Sequence, residues 1–271
     1  MSFSSEVKHK AKMNLSQNNW MKSIIIFSIV FVILYVANTF VEQILLSFLD
    51  ISDNKRLIDF LFSLSSSTEN IKVILILTAI RLTFLFIFSP LLIGCLKFYI
   101  DIANGSSASI SVIFHFLKTP KIFLKTLFFI FEIVFKITFN ILFCLLPGVL
   151  SLVFCSYIIK NNGDVGFSFF HLAILFSIIL IFSGILFSVI KNSQYFIAPF
   201  LFASKPKYKN KIYFKQSSIK MKRYKGFVLV IFLNFFLHLL FCFFVIPMIY
   251  VFPLFLEMFA VSSKRIVEDD Q

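Results

Sequence analysis

Apolar runs longer than about 18 residues recur along this chain, and that length is what crosses a hydrocarbon core of about 30 Å. With 59% hydrophobic residues among 271 and a mean hydropathy of +0.94, no soluble domain could bury so much apolar surface. The expected fold class is therefore all-α, a polytopic bundle of transmembrane helices forming one integral membrane domain over 1–271.

One stretch sets the direction of every run. Between Ser204 and Phe227 stand Lys205, Lys207, Lys209, Lys211, Lys215, Lys220, Lys222, Arg223 and Lys225, with no acid among them. Lys and Arg resist translocation, so the loop 204–225 is expected to stay in the cytoplasm. The rest follows by alternation. Spans are predicted at about 21–41, 73–96, 122–146, 167–190, 226–245 and 248–262, with both termini inside. The last is short, so a re-entrant segment and five spans are the alternative. Twenty of the 26 Lys and Arg fall on inner segments and four on outer ones, with Arg81 and Lys136 inside spans.

Local signals fill in the connections. Val7, Ala11 and Leu15 recur every four residues among lysines, which predicts a short amphipathic helix on the inner surface. Trp20 follows as an interfacial aromatic. The run Ile24–Val41 is too long for a signal-peptide core and has no clear cleavage site, so it reads as an uncleaved first span. Residues 42–72 are the most acidic connection and are expected outside. Residues 104–109 (NGSSAS) read as a flexible loop. Pro147-Gly148 is expected to end the third span, leaving 149–159 as a partly embedded outer segment.

The net charge of +13 could point to nucleic acid, but the basic residues flank membrane segments and no recognition fold surrounds them. Anionic lipid headgroups are the expected partner, beside the bilayer itself and a second membrane protein, with no nucleic acid. Cys95, Cys144, Cys155 and Cys242 form no CxxC pair and read as small packing residues. His9, His115, His171 and His238 are scattered, with no HxxxH or HExxH, so no metal site is expected. No nucleotide fingerprint, G-x-S-x-G or P-loop occurs either, so no cofactor or catalytic residue can be nominated.

Polar groups inside the spans are the remaining candidates: Arg81, Glu132, Lys136, Asn140, Asn234 and His238. Such groups cost about 2.5–3.5 kcal/mol each at the bilayer centre and usually face protein or water. Glu132, Lys136 and Asn140 are four apart on one face, with the first two spaced for an ion pair. Asn234 and His238 are similarly spaced. The six could line a polar path, or could be a packing network worth about 0.6 kcal/mol per hydrogen bond. Glu257, near the inner end of its segment, reads as solvated or snorkelling. In the basic loop, Phe214, Ser217, Ser218 and Met221 can share one helical face opposite the lysines. That fits either an interfacial helix on anionic lipid or a solvated topology signal.

Pro90, Pro199 and Pro253 recur near the inner halves of the inward-running spans, with Tyr99 and Tyr208 at the same offset after the first two. The pattern suggests three helical hairpins; chance proline is the alternative.

Ala11, Leu15 and Asn19-Trp20, the Pro90-Leu91…Gly94 turn, the Tyr195…Ala198-Pro199…Pro206 run and Ser218…Met221-Lys222…Lys225 resemble a family of bacterial integral membrane proteins. It is catalogued as a domain of unknown function, family nine-seven-five. The chain departs from it where Pro147-Gly148 lies far upstream and Ser183-Gly184 takes the nearer place. The resemblance implies a multi-span fold in a bacterial plasma membrane and brings no known activity. The abundant Phe, Ile and Lys also look like an AT-rich bacterial composition. The functional expectation is a non-enzymatic accessory or envelope-organising component. The alternative is a small transporter or permease subunit using the intramembrane polar residues.

Overall fold

The computed structural model describes residues 3–16, 19–48, 68–106, 108–161, 167–224, 226, 230 and 245–268. Among them the chain is helical throughout: α1 (Phe3–Ser16), α2 (Asn19–Phe48), α3 (Thr68–Ala103), α4 (Pro120–Asn161), α5 (Phe167–Asn192), α6 (Ala198–Ser204), α7 (Asn210–Lys220) and α8 (Val245–Glu268). Short 3-10 segments occupy Ile110–Leu117 and Ser193–Tyr195. Parts of α2, α3 and α4, and a stretch running from α5 through α6, are long and apolar enough to cross a membrane. Apart from residues 226, 230 and 245, the predicted fifth span lies outside the described residues, and with it Asn234, His238 and Cys242.

Length explains the architecture. The 36 residues of α3 and the 42 of α4 rise roughly 54 and 63 Å at 1.5 Å per residue. A hydrocarbon core of about 30 Å takes only half of that. The surplus forms a packed end. There α3 buries Leu91, Phe98, Tyr99 and Ile100, α4 buries Thr126 and Phe129, and α2 buries Ser23 and Ile26. Beyond it the same helices, and α5 beside them, turn apolar groups outward, with Tyr35 63%, Leu82 60%, Phe143 63% and Phe187 68% exposed. Water would penalise that surface and lipid would not.

Proline is handled locally. Pro90 sits inside α3 and cannot donate to the Phe86 carbonyl four residues back. The Ser89 hydroxyl donates to that carbonyl instead. Pro147 likewise sits inside α4, which runs on to Asn161. The third span therefore does not end at Pro147-Gly148, and 149–158 continue the same helix. Proline breaks a helix by removing one bond, and in a packed hairpin the neighbour holds the remaining turns together.

That neighbour is α5, which runs antiparallel to α4. Asn140 Nδ2 donates to Asn192 Oδ1 at 2.9 Å, and the Ser151 and Ser177 hydroxyls are 2.7 Å apart. These contacts tie α4 to α5 along their length. The threefold equivalence fares differently. Pro253 lies inside α8, but Pro199 opens the short helix α6 after a 3-10 turn. Tyr99 is fully buried and Tyr208 is 51% exposed, so the two tyrosines are not equivalent.

The segment 104–109 contains a defined turn. Ser106 N–H bonds the Asp101 carbonyl at 3.0 Å and Gly105 N–H bonds the Ile102 carbonyl at 2.8 Å, with Gly105 at φ +76°. This is a Schellman cap, which closes α3 and turns the chain into the 3-10 segment. The segment begins at Ser109, whose hydroxyl accepts from Ser111 N–H.

Helix α1 corrects the surface-helix expectation. Val7, Ala11 and Leu15 are at most 2% exposed, because α8, α2 and α3 cover that stripe. The amphipathic pattern was satisfied by protein rather than by lipid. Glu6 and Arg265 close the contact at 2.8 Å, and this hydrogen bond from Arg265 holds the Glu6 carboxyl below its ordinary range. The first and last helices therefore meet at one end of the molecule.

Candidate functional site

The basic loop folds onto the packed end. Helix α6 stops at Ser204 because Pro206 follows, and a proline cannot continue a helix. The turn is then fixed by one hydroxyl. Tyr213 accepts from Tyr208 N–H at 3.0 Å and donates to the Lys205 carbonyl. Helix α7 buries Tyr213, Phe214 and Ser217, and Met221 just beyond it is also buried. Ser217 donates to the Gln194 carbonyl at 2.7 Å. The apolar face expected on lipid is thus spent inside the protein, against Phe129 and Phe202. Lys207, Lys209, Lys211 and Lys215 remain exposed.

Behind that helix lies a cleft of about 970 Å³. Its wall carries Lys205, Lys220, Lys222, Arg223 and Lys264 against one acid, Glu268. Asn104, Ser204, Tyr208, Tyr213 and Gln216 complete the polar lining. Two of the cations are committed to helix ends. Lys220 Nζ donates to the Val267 carbonyl at 2.9 Å, and Lys264 Nζ donates to the Ala103 carbonyl at 3.0 Å with Glu268 at 3.8 Å. Cations at helix C-termini complement the dipole there. The side chains of Lys205, Lys222 and Arg223 are exposed and make no hydrogen bond or ion pair with another described residue. Lys225 lies outside the described residues. The sequence singled out the loop cations, but Lys264, brought in from α8, carried no sequence signal toward this cleft.

The intramembrane candidates are divided among different neighbours. Glu132 and Lys136 pair at 3.4 Å, and each side chain is 35% exposed. Lys136 also stands over the Phe214 ring at 5.3 Å, which puts it level with α7. Asn140 is buried and turns to Asn192 on α5 instead. Arg81 belongs to α3, and its side chain lies outside what is described. No three His, Cys, Asp or Glu gather as a metal ligand set among the described residues.

Glu257 corrects the snorkelling expectation. It is fully buried between α8 and α1, and its Oε1 accepts from Asn14 Nδ2 at 2.8 Å. Its Oε2, like Tyr99 Oη, has no partner among the described residues. The amphipathic pattern of α1 hid this, since Asn14 looked like an ordinary polar-face residue. An unpaired buried polar atom costs about 1–3 kcal/mol, more if charged. Glu257→Gln keeps an acceptor for Asn14 and removes the charge, so its unfolding temperature in detergent is expected to match or exceed the parent's. Asn14→Leu strips the carboxyl of its donor and is expected to cost about 1–3 kcal/mol. Equal melting of Asn14→Leu and the parent would show that the contact contributes nothing. Against family models, curated proteins and solved structures alike, the chain finds no match.

Proposed function

We propose that this chain is a non-enzymatic, multi-pass component of a bacterial plasma membrane, of the kind the resembled family contains. Its basic end faces the cytoplasm and holds anionic lipid headgroups, so that it acts as an accessory or envelope-organising component beside a membrane-protein partner. The observation that carries this reading is the use of α7. Its apolar side is consumed in the core, while Lys207, Lys209, Lys211 and Lys215 stay exposed without a protein acid among the described residues. Such lysines are worth about 1 kcal/mol each near an anionic surface. The pairing of Glu132 with Lys136, and of Asn140 with Asn192, supports packing over a polar path.

Substituting the four exposed lysines by glutamine is expected to lower co-purified anionic lipid at least about tenfold, leaving zwitterionic lipid unchanged. Mass spectrometry of the lipid bound to the purified protein reads this directly. Unchanged anionic lipid, with insertion and topology intact, would sink the proposal.

A further inference from the structure

We infer that the cleft between α6, α7 and α8 is a discrete binding site for a phosphate dianion. This rests on the reading that the basic end meets anions, but it uses different residues. The outer lysines 207, 209, 211 and 215 are not in the cleft wall; Lys205, Lys222, Arg223 and Lys264 are.

The charge balance selects the ligand. Five cations face one carboxylate. The C-terminal ends of α3, α6, α7 and α8 also converge here, at Asn104, Ser204, Lys220 and Val267. Each such end contributes about half a negative charge. Together they offset about two of the cations and leave a surplus near two positive charges. A carboxylate or a phosphodiester would leave that surplus half met. A phosphomonoester group matches it and pyrophosphate exceeds it by about one charge, and the oxygens of either accept from ammonium and guanidinium groups at once. The volume of about 970 Å³ admits such a group with what carries it.

The division of labour among the cations supports a site. Lys220 and Lys264 bond backbone carbonyls, which fixes the wall. The side chains of Lys205, Lys222 and Arg223 hold no partner among the described residues, so their donors are available. Tyr213 positions Lys205 by bonding its carbonyl.

The same chemistry is offered by a lipid with a phosphomonoester headgroup and by a soluble phosphate compound. The full chain in nanodiscs of zwitterionic lipid is titrated with inorganic pyrophosphate by calorimetry. Separately, recovery of phosphatidic acid from mixed-lipid discs is measured. Lys205→Gln/Lys222→Gln/Arg223→Gln removes exposed side chains that have no partner among the described residues, and keeps the wall. Charge-assisted bonds to three such groups predict a loss of at least about tenfold in whichever arm binds. Arg223→Lys should retain most of the binding. Pyrophosphate binding lost in the triple variant identifies a soluble ligand. Phosphatidic acid recovery lost in it, with no pyrophosphate binding, identifies a lipid. If neither arm binds, or the triple variant binds like the parent, the inference is overturned. The outer-lysine variant separates the two readings: retained cleft binding with unchanged bulk anionic lipid would sink the surface role alone.

Discussion

Gly94→Ala is expected to abolish most of the folded protein. Gly94 lies on the buried face of α3, against the 3-10 segment Ile110–Leu117. A methyl group built there falls inside the carbonyl oxygen of Ile113, 2.6 Å from its carbonyl carbon and 2.9 Å from its Cα. Every one of these atoms is backbone, so no side chain can rotate away. Relief requires moving the segment off α3, which would uncover Ile113 and Phe116, both fully buried now. Overpacking costs about 1–3 kcal/mol when side chains can yield, and this case is expected at or above the top of that range. A methyl group at Gly226 meets no described residue within 4 Å, so Gly226→Ala is the matched control. Fluorescence-detected size exclusion and thermal unfolding in detergent compare the two. Similar melting of both would show that the close approach is not real.

Phe129→Ala should be nearly as damaging. Phe129 is fully buried where α4, α6 and α7 meet. Its ring stacks on Phe202 at 4.2 Å and on Phe214 at 5.4 Å, with Tyr213 edge-on at 6.0 Å. Removing it leaves a cavity ringed by three aromatics on two elements, α6 and α7, none of which can collapse without shifting its helix. Loss of a buried Phe costs about 3–5 kcal/mol. The consequence reaches the site, because Tyr213 fixes the turn that holds Lys205. Phe129→Ala should therefore lose both melting temperature and cleft binding. Phe128, next along the chain, is 67% exposed, and Phe128→Ala should stay within about 0.5 kcal/mol of the parent. Equal effects at 128 and 129 would mean that the assigned faces of α4 are wrong.

These contacts show what was legible in the residues and what was not. Span-length apolar runs located α2, α3, α4 and α5, because length and composition alone decide that question. Periodicity also marked the right buried faces of α1 and α7. It could not say what would cover them, since lipid tails and a protein core are equally apolar. Val7, Ala11 and Leu15 were covered by α8, and Phe214 by Phe129, contacts distant in sequence.

Depth was the harder quantity. A run of apolar residues does not mark where a 42-residue helix enters the bilayer. Lys136 reads as intramembrane by counting residues, yet it touches Phe214 of the basic loop. Glu257 reads as a headgroup-level charge by the same counting, yet α1 lies over it. In both cases a neighbouring helix, and not the local sequence, sets the environment. The cleft was half legible. The loop cations were evident as a block, but the convergence of four helix ends beside them is a property of the folded chain.

The function proposed above puts the basic end, with α7 and the level of Lys136, on the cytoplasmic side of the membrane. Thiol accessibility tests it most directly. With the native cysteines replaced, single cysteines are placed at Lys136, at Lys211 and at Asn161, the far end of α4. Intact and permeabilised cells are then treated with a membrane-impermeant reagent. The expected result is labelling at 161 in intact cells, and at 136 and 211 only after permeabilisation. Labelling at 211 in intact cells, or protection of 136 under both conditions, would contradict it.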